Sequence, residues 1–230
     1  MVQTLELAHA LAHPFSLTYV LFFAAMLSQF QRQAAMVQER AESLVALAAQ
    51  QGFPVYLDLG RMLHGWALTV QGQADVGLAQ LQQGLATYQV TRGAVAQHYF
   101  VVLLADAHGT CGHSAEGLRL VDEALAAVPR SGRFWEAELY RQRGDLFLLD
   151  SPTTRAMEAE ACFQRAVRIA QQQGARALEL RAALSLSRLW QRQGKCLAAR
   201  ALLAPIYSWF TEGFDTPDLQ EAQALLAALG

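Results

Sequence analysis

Apolar residues return along this chain at spacings of three and four, and the runs are cut at intervals by glycine, or by proline among small polar residues. Leu63 to Gly72, Leu103 to Gly112 and Leu184 to Gly194 are each a helical pattern stopped by glycine. The first two of these glycines lie about 40 residues apart, and the second and third about twice that, so the chain repeats. The pattern predicts helix pairs at 16–31 and 34–51, 54–71 and 74–90, 94–111 and 114–128, 132–149 and 154–173, and 176–193 and 196–211. Residues 2–12 read as a lone second helix, a partial pair in front, and 217–229 as a terminal cap.

The second helix of each pair carries small residues where two helices must cross closely. Repeat two has Gly77, Leu81, Gly84 and Leu85; repeat three has Gly117, Val121, Ala124 and Leu125, then Pro129; repeat four has Ala159, Phe163 and Ala166. In repeat five Ala199 and Leu203 hold their places, while Ile206 takes the small position. Positions i and i+7 share a helix face, so small residues there admit a neighbour and the large one between them fills the gap. This spacing matches the tetratricopeptide (TPR) second helix. Repeat four lacks the turn glycine and has Asp150-Ser151-Pro152-Thr153-Thr154 instead, a helix stop with a short insertion. The expected fold is all-α: a TPR-like α-α superhelix, a solenoid of about five pairs (16–51, 54–90, 94–128, 132–173, 176–211) forming one repeat domain over 1–230.

Composition supports helices and narrows the partners. Hydrophobic residues make up 53% and charged residues 17%, which argues against disorder. With a net charge of -2 and no run of Lys or Arg, nucleic acid is not an expected partner. Three widely spaced cysteines, Cys111, Cys162 and Cys196, suit free thiols in a reducing compartment. The N-terminus lacks a signal-peptide pattern, and the apolar stretch Leu17–Leu27 is too short to span a bilayer, so the expectation is a cytoplasmic chain without a membrane partner.

Candidate chemistry is sparse. His108, Cys111 and His113 straddle an expected turn with no suitably spaced fourth ligand. The pairs Glu136/Glu138 and Asp145/Asp150 read as helix-face charges rather than an acid/base couple. Ser16 and Ser114 read as helix N-caps. No catalytic residue, cofactor or metal is expected, and the chain is read as a non-enzyme.

Several strings are specific as a set: His13-Pro14-Phe15-Ser16-Leu17, Arg61-Met62-Leu63-His64-Gly65-Trp66-Ala67, Arg133-Phe134-Trp135-Glu136-Ala137-Glu138-Leu139-Tyr140-Arg141, Glu158-Ala159-Glu160-Ala161-Cys162-Phe163 and Trp209-Phe210-Thr211-Glu212-Gly213-Phe214-Asp215-Thr216. The chain resembles the C-terminal TPR region of bacterial multidomain signalling proteins, which carry a class III adenylate or guanylate cyclase domain and an AAA-type or STAND-type ATPase module upstream. There is no Gly-x4-Gly-Lys-Ser/Thr phosphate loop here, so the catalytic residues of those modules have no counterpart. The resemblance implies a scaffold or sensor arm, a fragment of a larger protein, with the cyclase or ATPase modules of the same polypeptide among its partners.

In a TPR repeat the first helices line the concave face, and alignment on the turn glycines selects the inward residues. The early repeats give Val20, Phe23, Leu27, Leu59, Met62, Trp66, Tyr99 and Val102; the later ones give Asp106, Glu138, Arg141, Asp145, Arg181 and Arg188. Leu59, Met62 and Trp66 stand where a carboxylate clamp needs polar groups, so chaperone-tail docking is not expected. An apolar groove suits a partner helix or hydrophobic peptide, centred on Met62, Trp66 and Tyr99. Two alternatives stay open: the groove covered by other helices of the chain, and an enclosed groove sensing a small apolar ligand. An enzyme is a distant third.

Overall fold

The structure is a computed structural model that describes residues 7, 8, 10, 13–91, 97–131 and 133–230. Eleven helices are delimited among them, and no strand. They are α1 (Pro14–Phe30), α2 (Ala34–Gln51), α3 (Pro54–Val70), α4 (Ala74–Thr91), α5 (Gln97–Thr110), α6 (Ser114–Ser131), α7 (Glu136–Asp150), α8 (Ala156–Gln173), α9 (Arg176–Arg192), α10 (Cys196–Tyr207) and α11 (Pro217–Ala228). The helix expected over 2–12 lies outside the described residues except at 7, 8 and 10, which are helical.

Local chemistry explains the ends. Helices α1, α3 and α11 open on proline, whose missing N–H costs nothing at a first turn. Left-handed glycines close turns at Gly52, Gly72, Gly112, Gly174 and Gly194. At the corresponding place after α1 stands Arg32, with φ 56°, the one non-glycine with positive φ among the described residues. Helix α10 stops at Tyr207, four residues short of the expected end, and holds Pro205 inside it, whose missing N–H takes one hydrogen bond from the preceding turn. Ser16 is not the cap of α1: His13 is, and its ring accepts from the Ser16 N–H at 3.3 Å. Ser114 is the first helical residue of α6, and its hydroxyl donates to Asp150 at 3.3 Å.

The chain divides into two compact units, residues 1–111 and 112–230. Within each, every helix packs on its neighbour in sequence, and the odd-numbered helices also touch one another: α1 with α3 and α3 with α5 in the first unit, α7 with α9 and α9 with α11 in the second. The odd helices therefore form the inner layer of each unit. The small-residue pattern marks the crossings. A Cβ at Gly65 would lie 2.8 Å from the Gly77 carbonyl oxygen, so α3 and α4 meet backbone to backbone there. A Cβ at Gly144 would meet the Phe163 ring at 2.5 Å. Ala159, Phe163, Ala166, Ala199 and Leu203 are fully buried.

Candidate partner-binding faces

The inner layer of the first unit is not a groove. Leu59, Met62 and Trp66 on α3, and Tyr99 and Val102 on α5, are all 5% exposed or less. The reason is how closely the odd helices approach. The Tyr99 hydroxyl on α5 donates to Gln29 Oε1 on α1 at 3.0 Å, and the Phe30 and Tyr99 rings stand 5.6 Å apart. The expected apolar patch centred on Met62, Trp66 and Tyr99 is thus corrected to core. Water reaches almost none of the surface of these five side chains, so little free volume touches them either.

What remains open lies on α1. Phe23 and Leu27 are both 37% exposed, and Tyr19 and Phe15 nearly half exposed, while Val20 is half-buried. The Tyr19 and Phe23 rings are 4.7 Å apart, and Phe15 sits edge-on to Phe53 and Tyr56 at 5.7 Å from each. Helix α1 contains no charged residue.

The inner layer of the second unit is charged, with its cations and anions matched. Arg141 donates to Glu138 at 2.6 Å and also pairs with Asp145 one turn on. Arg181 meets Asp218 at 2.7 Å and Arg188 meets Glu221 at 2.5 Å, both across from α9 to α11. Glu138 is buried, and burial alone would raise its pKa; the Arg141 charge and hydrogen bond, with the Arg181 charge, outweigh that and hold it below the usual carboxylate value. Asp106 and Asp145 are half-buried, on α5 and α7. Between α9 and α11 lies an open depression of about 460 Å³ lined by Arg188, Gln191, Arg192, Glu221, Ala224 and Leu225.

Sequence reading missed Asp218 and Glu221, although their i, i+3 spacing on the cap helix already placed two acids on one face. His108 is buried with Nε2 3.3 Å from Gln82, Cys111 interacts with Asp75 and His113 is exposed, so the three do not converge. Cys111, Cys162 and Cys196 are free thiols. No group of three or more His, Cys, Asp or Glu placed to hold a metal occurs among the described residues, and no described helix is long and apolar enough to cross a membrane. Trp66 is core, Trp135 and Trp190 are half-buried, and Trp209 is exposed beside Arg176.

Neither a family profile nor any curated protein sequence matches the chain. Solved structures do. The fold is similar to that of Bacillus thuringiensis PlcR in complex with the peptide PapR7 and DNA, at TM-score 0.73 and 14% identity over 92% of this chain and 73% of that one. It is also similar to a Podosopora anserina protein of nearly identical TPR-like repeats described as a kinesin light chain, at TM-score 0.58 and 18% identity over 94% of this chain and 98% of that one. At such identities the likeness carries the fold alone, and the fold is an all-helical TPR-like repeat.

Proposed function

We propose that this chain is a polypeptide-binding scaffold whose second unit holds a partner peptide against the inner layer of α7, α9 and α11. The observation that carries this reading is the row of oppositely charged side chains there, Arg141, Asp145, Arg181, Arg188, Asp218 and Glu221, most exposed at Asp145, Arg188 and Glu221 and ending at an open depression. An exposed ion pair such as Arg188–Glu221 exchanges readily for an equivalent pair with a ligand, so it sets register and selectivity at small net cost. The depression adds apolar Ala224 and Leu225 beside Arg188 and Arg192, which suits a peptide with a carboxylate next to a small apolar side chain.

That a fold neighbour holds a peptide supports the reading. The same neighbour holds DNA, but this chain has a net charge of -2 and no basic run to track phosphates. The resemblance to cyclase and ATPase signalling proteins makes modules of that kind the first partners to try. The enclosed-ligand alternative has little volume left at Leu59, Met62, Trp66, Tyr99 and Val102.

A displayed random-peptide library panned on the intact chain tests the proposal. Enriched peptides should share an acidic position, and should lose about tenfold or more in affinity on Arg188→Glu or Arg192→Glu. Enrichment indifferent to both substitutions, or none, would sink it.

A further inference from the structure

The acids that α11 sets against the arginines of α9 run out before the arginines do. Arg181 meets Asp218 and Arg188 meets Glu221, and the two pairs come in the same order on both helices, so α9 and α11 run parallel along this face. Four residues beyond Arg188 is Arg192, and four beyond Glu221 is Leu225: one turn on, the cation is repeated and the acid is not. Arg192 is exposed, and its guanidinium has no hydrogen bond or ion pair among the described residues. This unmatched turn borders the depression of about 460 Å³, which has the i, i+3, i+4 stripe Arg188, Gln191 and Arg192 on one wall and Glu221, Ala224 and Leu225 on the other. Two cations therefore face one anion there. Like charges four residues apart on a helix repel, and of the two arginines Arg188 already has its charge answered.

Building on the peptide-scaffold reading, we propose that Arg192 is the anchor for the ligand's carboxylate and that Glu221 is the specificity-determining residue of the depression, an internal competitor that keeps Arg188 from joining Arg192. Charge complementarity gives the ligand class. The depression carries one positive charge in excess, so it takes a single acidic side chain, while Ala224 and Leu225 take the ligand's apolar neighbour. A second acid on the ligand would face Glu221 and be repelled. The competitor is effective because it is tethered: the Glu221 carboxylate meets Arg188 at a far higher effective concentration than a carboxylate arriving from solution. A ligand therefore gains the Arg192 pair in full and Arg188 only in part. An exposed pair at Arg192 is by itself too weak to hold an acid, so the apolar contact has to accompany it.

The probe is the acidic peptide most enriched on the wild-type chain in the panning above, amidated at its C-terminus, labelled with fluorescein, titrated with the full chain and read by anisotropy. A second version carries one further glutamate beside its acid. Arg192→Gln should weaken binding of the first version about tenfold or more, with far-UV circular dichroism unchanged. Glu221→Gln should strengthen it about three- to fivefold, which is what an exposed pair of this kind can withhold, and should steepen its salt dependence. The two-acid version should gain by a larger factor. Glu221→Lys breaks the same pair but adds a cation, so it should strengthen both versions at least as much; a merely structural role for Glu221 would weaken both. Affinity unchanged or lowered by both Glu221 variants, or an equal gain for the two versions, overturns the competitor. Arg192→Gln without effect, where Arg188→Gln weakens binding, overturns the anchor. In those cases the loss at Arg188 or Arg192 leaves the scaffold reading standing. No enrichment of acidic peptides, or binding indifferent to both arginines, overturns that reading and the roles of Arg192 and Glu221 together.

Discussion

The two inner layers use one helical register for opposite ends. Measured from the turn glycines, Leu59 and Trp66 of α3 correspond to Arg181 and Arg188 of α9, and Tyr99 of α5 shares the position of Leu59 and Arg181. Where these positions are large and apolar, the odd helices close on one another until Tyr99 reaches Gln29 and the face becomes core. Where they are charged, the side chains keep their water or pair across helices, and the face remains a surface. In a stack of this geometry, the chemistry of two positions per helix decides whether an inner face stabilises the stack or receives a partner.

The largest expected effect tests the closed half. Trp66 is 4% exposed, so Trp66→Ala should remove about 3–5 kcal/mol from the stability of the first unit, read as a lower denaturant midpoint. A loss below about 1 kcal/mol would mean that the inner layer of α1, α3 and α5 is loosely packed and that its closure is not what buries the tryptophan.

Next comes Glu138, a charge of the second unit that is buried like core. Glu138→Gln should cost about 1.5–3 kcal/mol at neutral pH, since it strips a buried carboxylate from Arg141. The sign of the pH dependence follows from the lowered folded-state pKa of Glu138. Its contribution is fully present above the ordinary glutamate value of about 4.3 and is lost as pH falls through the lower folded value. The stability gap between wild type and Glu138→Gln should therefore be constant from neutrality down to about pH 5 and close below about pH 4. A gap that widens on acidification would show that burial, not the arginines, dominates at this site.

Much of this was legible in the sequence, and what was not has a physical cause. The 3.6-residue period and the turn glycines place the helices to within a few residues, because both signals are local. The early end of α10 at Tyr207 is not visible in the periodic pattern. The inward assignment of Leu59, Met62, Trp66, Tyr99 and Val102 picked residues of one layer, but not how near the helices in that layer come. That spacing is set by contacts such as Tyr99 with Gln29, 70 residues apart, which no window along the chain contains. The partners of Arg181 and Arg188 were missed for the same reason: they sit on a capping helix, read only as an end.

A smaller effect tests how the two halves of each repeat interlock. Gly65→Ala would push a methyl group against the Gly77 carbonyl, 2.8 Å away, and backbone cannot step aside as a side chain can. The expected cost is about 1–3 kcal/mol. Gly52→Ala has open space around it but a left-handed φ of 68°, so it should cost about 1–2 kcal/mol through backbone strain alone. Combining Gly65→Ala with Leu78→Ala should not recover the loss, because the clash is with backbone and not with a bulky neighbour.

The smallest effect divides the charged layer within itself. Arg188 is 45% and Glu221 32% exposed at the side chain, whereas Arg181 and Asp218 are 14% and 15% exposed. Exposed pairs are screened by salt and lose most of their attraction to water, so a double-mutant cycle through Arg188→Ala and Glu221→Ala should give a coupling of about 0–1 kcal/mol that fades by about 0.15 M added salt. The cycle through Arg181→Ala and Asp218→Ala should give a larger coupling that salt reduces less, since partial burial keeps ions away from the pair. This ordering bears on the proposed binding role. A ligand can displace a weak pair at Arg188 with little loss, while the stronger pair at Arg181 holds α9 against α11 and keeps the depression in shape. If the two cycles give the same coupling and the same salt dependence, the layer has no graded structure, and Arg188 loses its claim to be the position where a partner enters.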